Sequence, residues 1–179
     1  HTEIFESATI ASVAVAEEIA SLIRERSAKG EKTVLGLVAG NTPMHIYAEL
    51  VRMHREEGLS FADVITFNLD EYYGIPRESS QSHWTFMHEC LFDHVDILPE
   101  NINMPSSNIA VSRVEQHCAD YDMKIKACGG LDYQILGIGR TGSVGFNEPG
   151  SHINSGTRML MLDYLTRSDA SKDFHGIEN

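Results

Sequence analysis

The spacing of hydrophobic residues in the first half of the chain alternates between a helical and a strand-like pattern. Residues 10–27 place their large apolar side chains on one helical face, and Gly30 is a suitable end for this helix. The runs 33–39 (TVLGLVA) and 63–69 (DVITFNL) are short and mostly apolar. Such runs are typical of strands that are buried on both faces of a parallel sheet.

Capping and turn residues predict the remaining elements. Three of them are helices: one over 43–57 with Thr42 as N-cap and Gly58 at its end, one over 83–92 capped by Ser82, and one from the capping box 112–115 (SRVE) to Cys128. The other two are a strand over about 133–138 and a short strand over 159–162. Residues 93–107 are expected to be a connection, and residues 165–179 to be polar and irregular. This alternation predicts the α/β class with a parallel sheet, in a single domain over residues 1–179.

The stretch 131–150 (LDYQILGIGRTGSVGFNEPG) combines a predicted strand with a glycine-rich loop, residues 137–150. Its glycines allow positive φ angles and a close approach of the backbone to a ligand. The loop then presents Asn147 and Glu148 before the turn at Pro149 and Gly150. A strand that ends in such a loop is a common way to build a site at the carboxyl edge of a parallel sheet.

The same loop also matches a dinucleotide-binding pattern. Residues 137–142 (GIGRTG) satisfy G-x-G-x-x-G after a strand, and Asp163 lies about twenty residues further on. That motif has to open a helix, whereas Gly145, Pro149 and Gly150 interrupt the following turns. The context therefore disfavours a dinucleotide site.

Two further loops follow the buried strands. The 40–43 loop (GNTP) directs the free N–H groups of a helix start outward, which is typical of a phosphate site but also of an ordinary capped turn. It is not a Walker loop, since no Gly-Lys-Ser/Thr follows. The acidic loop, residues 70–74 (DEYYG), places two carboxylates where a catalytic base would sit, although a solvated loop acid fits too. Because adjacent side chains alternate in direction, we expect only one of Asp70 and Glu71 to face the site.

Amino-acid composition limits the kinds of partner, the location and the metal content to be expected of this protein. The 179 residues include 42% hydrophobic ones, which is ordinary for a globular domain, and no run has transmembrane or signal-peptide character. The net charge of −12 argues against nucleic acid, but not against a small anion bound by backbone amides. Three cysteines without a C-x-x-C pair indicate a reducing, cytoplasmic location. None of the nine histidines has zinc-motif spacing, so no metal is expected.

Four segments carry a family resemblance. LGLVAGNTPMHIYAEL, ITFNLDEYYG, FMHECLFDHVDILPENIN and GFNEPGS resemble the glucosamine-6-phosphate deaminases, and the last lacks a counterpart in the related 6-phosphogluconolactonases. The resemblance implies an open, mostly parallel Rossmann-like sheet with helices on both faces. It also implies conversion of glucosamine 6-phosphate to fructose 6-phosphate and ammonia in amino-sugar catabolism, without a cofactor and by a homo-oligomer.

The resemblance assigns roles by position. Asp70 corresponds to the base that moves a proton between C2 and C1 of the opened sugar, and Glu148 to the acid that assists ring opening. Thr141 and Ser143 stand where the family has an Asp and a His of the ring-opening machinery. Substrate contacts are implied for Gly40, Asn41, Thr42, Glu71, Gly139, Gly142, Asn147 and Lys172, and an allosteric phosphate site for Ser151 and Arg158.

Three departures from the family leave alternatives open. A serine hydroxyl cannot hold a proton near neutral pH as imidazole can, so Thr141 and Ser143 predict slower ring opening. Leu160 replaces a lysine of the allosteric site, which weakens that assignment. The family fold continues past residue 179, and this chain begins at His1, so we expect a piece of a longer protein or a degenerate member. The chain is therefore predicted to be a deaminase, a non-catalytic sugar-phosphate-binding module, or another sugar-phosphate isomerase or lactonase.

Overall fold

The computed structural model describes residues 1–170 of the chain, and in them helices alternate with strands. The elements are α1 (Ala8–Ala28), β1 (Thr33–Leu37), α2 (Met44–Glu57), β2 (Val64–Asn68), α3 (His83–Cys90), β3 (Ile102–Asn103), α4 (Val114–Ala127), β4 (Tyr133–Gln134) and α5 (Tyr164–Ala170). Single 3₁₀ turns occupy Phe92–His94, Pro99–Asn101 and Val111–Arg113. No helix within residues 1–170 is long and apolar enough to cross a lipid bilayer.

The four strands form one parallel sheet in the order β3-β2-β1-β4. Strands β1 and β2 pair along their whole length, from Thr33 opposite Val64 to Leu37 opposite Asn68. The chain moves outward from β1 through β2 to β3, and β4 then joins the other side of β1. The strand order therefore reverses between β1 and β4, which is where ligands bind in open α/β sheets. The 40–43 loop and the glycine-rich loop follow these two strands.

Both faces of the sheet are covered by helices, as expected. Leu35 and Leu37 of β1 pack with residues of α1, α2 and α3 in the main core. Val34 and Phe67 face the opposite side, where they meet Tyr121 of α4. Alternation of neighbouring side chains between the two faces explains why the strand sequences are apolar throughout. The α/β class and the parallel, two-sided sheet are thus confirmed.

The helix ends agree with the sequence at some caps and disagree at others. Gly58 ends α2 with a φ of 69°, and the Ser82 hydroxyl accepts the Thr85 N–H at the start of α3. Thr42, however, is not the N-cap of α2: Pro43 takes that position, and no side chain caps the helix. Ser112 does not form a capping box either, because a 3₁₀ turn precedes α4 and moves the cap to Arg113.

Three predictions about the strands and the chain end are wrong. Only Tyr133–Gln134 pair as β4, and the chain leaves the sheet after the Ile135 N–H donates to Gly36 O at 3.0 Å. Residues 159–162 form no strand, and Met159, Leu160 and Leu162 instead line a cavity together with residues of α4. Residues 164–170 are helical (α5) and not irregular. The short strand β3 was missed within 93–107, because two residues are too few to show an alternating pattern.

Candidate functional site

The loops after β1, β2 and β4 lie at one edge of the sheet. The Leu69 N–H donates to Leu37 O at 2.9 Å, so the acidic loop starts beside the end of β1. The glycine-rich loop comes back onto the acidic loop at Gly145, whose φ is +59°. A Cβ atom placed on Gly145 would be 2.7 Å from Leu69 Cδ2 and 3.7 Å from Asp70 Oδ2. A residue larger than glycine would therefore hold the two loops apart.

The two carboxylates of the acidic loop point in different directions, as expected. Asp70 Oδ1 lies 2.9 Å from His83 Nδ1, and its side chain keeps 17% of its surface exposed. Glu71 turns to the start of α3, where its two oxygens accept the N–H groups of His83 and Trp84 at 3.0 and 2.9 Å. A negative charge is favourable at a helix N-terminus, so Glu71 fixes the loop while Asp70 faces the glycine-rich loop.

Glu148 is held by two threonine hydroxyls. Thr141 Oγ1 donates to Glu148 Oε2 at 2.8 Å, and Thr166 Oγ1 of α5 donates to Oε1 at 3.2 Å. A carboxylate offers about four lone-pair sites, so two hydroxyl donors do not use up its capacity to accept hydrogen bonds. Thr166 was not singled out in the sequence, since no motif connects a residue of an irregular tail with Glu148.

Thr141, and not Ser143, supplies the hydroxyl that reaches Glu148. The Gly139 N–H donates to Ser143 O at 2.8 Å, which folds residue 143 back onto residue 139. Ser143 is 7% exposed, and a Cβ atom on Gly139 would collide with its hydroxyl oxygen. The loop thus needs glycine at 139 because Ser143 occupies the space. No helix starts directly after residues 137–142, since the next helix in the described part of the chain is α5 at Tyr164, and this agrees with the rejection of a dinucleotide motif.

The 40–43 loop leaves the start of α2 open. Gly40 has a φ of +128°, and Asn41 and Thr42 are exposed. Because no side chain caps α2, its first-turn N–H groups are available to an anion. Tyr47 is buried, as its position on the inward face of α2 predicts, and anchors this loop: its hydroxyl donates to Val38 O at 2.5 Å and accepts the Val38 N–H at 3.2 Å.

A cavity of about 680 Å³ is lined by Asp70 and its neighbours in the acidic loop. It runs between this loop, the start of α4 and residues 155–162, and Asn147 and Arg158 are among its lining residues. Arg158 Nη2 donates to Asn147 Oδ1 at 2.7 Å, one residue before Glu148. Asp70 lines this cavity, whereas Glu148 and the 40–43 loop do not.

The other predicted residues are placed as follows. Ser151 is exposed, and its N–H donates to Glu148 O at 3.0 Å. Gly142 has a φ of +83° in the turn between Thr141 and Ser143. Lys172 lies outside the described residues. Within residues 1–170 no group of three His, Cys, Asp or Glu side chains is arranged to hold a metal ion.

The family model and the relatives that match this chain point to the same protein family. The family model for glucosamine-6-phosphate isomerases/6-phosphogluconolactonase matches residues 6–145. A glucosamine-6-phosphate deaminase-like protein of Bacteroides thetaiotaomicron is 47% identical over 99% of this chain and 27% of its own length. The glucosamine-6-phosphate deaminase of Lysinibacillus sphaericus is 43% identical over 87% of this chain and 65% of its length. The chain thus spans less than two thirds of these relatives.

Solved structures give the same result for the fold. A monomeric glucosamine-6-phosphate deaminase superposes with a TM-score of 0.91 and 34% identity, over 98% of this chain and 70% of that one. A 6-phosphogluconolactonase from Thermotoga maritima superposes with a TM-score of 0.57 and 26% identity, over 72% of this chain and 58% of that one. The sheet and its crossover helices are therefore shared with both kinds of enzyme, and the deaminase fits better.

Proposed function

Because this chain belongs to the glucosamine-6-phosphate isomerase/6-phosphogluconolactonase family, we propose that it carries the deaminase activity on glucosamine 6-phosphate, giving fructose 6-phosphate and ammonia. The observation that carries the proposal is the approach of the glycine-rich loop to Asp70 at Gly145. It brings a partly exposed carboxylate to the cleft between two loops, and a second carboxylate, Glu148, belongs to one of those loops. Two carboxylates with different surroundings suit an acid and a base.

We assign one group to each step of the proposed reaction. The 40–43 loop (Gly40, Asn41, Thr42) would bind the phosphate through the free N–H groups at the start of α2. Glu148 would assist ring opening, with Thr141 and Thr166 orienting its carboxylate. Asp70 would then take the proton from C2 of the opened sugar and return it to C1, which turns the C1 aldehyde into an alcohol and the C2 amine into an imine. Water then hydrolyses the C2 imine to the ketone of fructose 6-phosphate and releases ammonia. We assign no direct substrate contact to Glu71, since its oxygens already accept two N–H groups of α3.

The central test measures ammonia release from glucosamine 6-phosphate by the wild-type chain and by Asp70→Asn. The amide keeps the shape of the side chain and loses its basicity, so turnover should fall by about 10²-fold or more. Binding should persist, because the phosphate site lies on another loop. A thermal-shift titration with glucosamine 6-phosphate checks this binding in both proteins. Equal turnover in a clean Asp70→Asn preparation would exclude the role of Asp70.

A second candidate function is a sugar-phosphate-binding module without turnover. It is favoured by Thr141 and Ser143, which replace the acidic and imidazole groups of the deaminase loop. A thermal shift with glucosamine 6-phosphate in the absence of ammonia release would select this function. Hydrolysis of 6-phosphogluconolactone in the same preparation would instead select the lactonase activity.

Location and assembly belong to the proposal as well. We propose a cytoplasmic protein, since its three cysteines form no C-x-x-C pair and Cys90, Cys118 and Cys128 are all free. A homo-oligomer stays a prediction, and light scattering would test it. One structural relative is described as monomeric. The allosteric role of Ser151 and Arg158 also stays a proposal.

A further inference from the structure

A histidine that the proposed mechanism does not use lies directly against the proposed base. His83 is the first residue of α3, and its Nδ1 lies 2.9 Å from Asp70 Oδ1 and 3.1 Å from the backbone oxygen of the same residue. A backbone oxygen only accepts hydrogen bonds. Nδ1 therefore carries a hydrogen and donates it to Asp70, in both the neutral and the cationic form of the ring.

The surroundings of His83 hold its ring in one orientation. Its centroid lies 4.8 Å from that of Tyr72 and 6.2 Å from that of Phe146, with which it stacks at 22°. Glu71 accepts the backbone N–H of His83 at 3.0 Å and so fixes the first turn of α3. The His83 side chain is only 13% exposed. Contacts from the acidic loop, the glycine-rich loop and α3 itself thus fix the position of the His83 imidazole.

We propose that His83 is a positioning residue for Asp70, and that its charge state sets how basic the Asp70 carboxylate is. This inference rests on the proposed function, because it concerns the proton that Asp70 moves. The Nδ1–H bond fixes Oδ1. Oδ2 is then the oxygen on the side of Gly145, since it lies 3.7 Å from the position that a Cβ atom added to Gly145 would take. The substrate proton would go to Oδ2.

The charges around the ring determine the sign of its effect. Burial lowers the pKa of His83, but the hydrogen bond and charge of Asp70 and the charge of Glu71 raise it more, so the pKa lies above its ordinary value of 6.5. The groups of the acidic loop that act on the ring are Asp70, Glu71 and Tyr72, and the contact from the glycine-rich loop is the uncharged Phe146 ring. Below that pKa a cationic ring makes Asp70 a weaker base. Turnover should therefore rise with pH as His83 loses its proton.

Two substitutions separate the hydrogen bond from the titration. His83→Asn keeps an N–H donor near the position of Nδ1 but does not titrate. His83→Phe keeps a ring between Tyr72 and Phe146 but has no donor. His88→Asn is the matched control, since His88 lies in the same helix and forms a similar pair, with Nδ1 2.7 Å from Asp93 Oδ1, away from the site. Circular dichroism and melting curves establish that all three variants fold.

The expected result differs for each variant. His83→Phe should lower kcat by about tenfold while KM changes by less than about threefold, since an oriented base is lost and phosphate binding is kept. His83→Asn should retain most of the kcat measured at high pH but lose the rise of turnover through the pKa of His83. His88→Asn should match the wild type in both respects. The inference is overturned if the wild type turns over the substrate and both His83 variants have the same kcat and the same pH profile as the wild type.

A measurement without turnover separates this inference from the proposed function. The ring nitrogens of His83 are followed by NMR across pH in the wild type and in Asp70→Asn. The pKa of His83 should fall in Asp70→Asn, because the charge that raises it is removed. An unchanged pKa would show that the two side chains are not paired and would overturn the inference. Absence of ammonia release from the wild type would instead overturn the proposed deaminase activity and leave this pairing to be decided by NMR.

Discussion

At the scale of single residues, the acidic loop shows how adjacent carboxylates take different roles. Asp70 and Glu71 have the same charge, and the alternation of side chains along an extended segment predicted that one would face the site. The sequence could not show which backbone amides Glu71 would meet, because His83 and Trp84 lie twelve and more residues further along the chain. The contact of Asp70 with His83 was missed for the same reason.

The Thr141–Glu148 hydrogen bond gives a residue-scale prediction. Thr141→Val keeps the branched shape and removes the hydroxyl that donates to Glu148 Oε2 at 2.8 Å. A hydrogen bond to a charged group contributes about 1.5–3 kcal/mol, so turnover of the closed-ring substrate should fall by about tenfold or more. Thr141→Ser retains the hydroxyl and should stay near the wild-type rate. Ammonia release by the two variants is compared, and equal rates would mean that this bond does not support ring opening.

At the scale of elements, the strand order explains why the loops meet. The helix α2 returns the chain from β1 to β2, and β4 joins β1 from the other side, so the loops after β1 and β4 flank the reversal of strand order. Alternating apolar runs and capping residues predicted α1, α2, α3 and the two central strands. They did not predict β3 or the shortness of β4, since pairing of two residues depends on neighbouring strands and leaves no local pattern.

The contact between the acidic and glycine-rich loops gives an element-scale prediction. Gly145→Ala adds a Cβ atom 2.7 Å from Leu69 Cδ2, so Leu69 has to rotate or the loop has to lift from Asp70. We expect kcat to fall by about tenfold, since small misplacements of reacting groups reduce rates strongly. Gly150→Ala is the matched control: Gly150 also has a positive φ, +100°, but an added Cβ meets nothing within 4 Å.

Alanine is strained at positive φ in both variants, by about 1–2 kcal/mol. Gly145→Ala should lose further stability, because its Cβ atom also displaces Leu69. Melting curves measure this loss, and steady-state kinetics measure kcat. A fall in kcat that is equal in the two variants would assign the effect to backbone strain and contradict the importance of the contact with Leu69.

At the scale of the whole molecule, the net charge and the proposed anion site have opposite effects on a negatively charged substrate. The chain carries a net charge of −12, whereas the proposed substrate bears a phosphate. The N–H groups at the start of α2 act over short distances, and the net charge acts over the whole approach path. Composition therefore predicted that nucleic acid is an unsuitable partner, but it could not locate the anion site, which depends on the backbone directions in the 40–43 loop.

This opposition gives a prediction about salt. At an ionic strength of about 0.01 M the Debye length is roughly 30 Å, and at 0.15 M it is roughly 8 Å, so added salt shortens the range over which the protein repels an anionic substrate. We expect kcat/KM for glucosamine 6-phosphate to rise about two- to threefold from the lower to the higher ionic strength. This applies where the capture of substrate by the protein limits kcat/KM. Chloride can also compete for the anion site, and the series is therefore repeated with potassium acetate. A fall of kcat/KM with both salts would contradict the prediction, because it would mean that local positive potential at the cleft outweighs the net charge of the molecule.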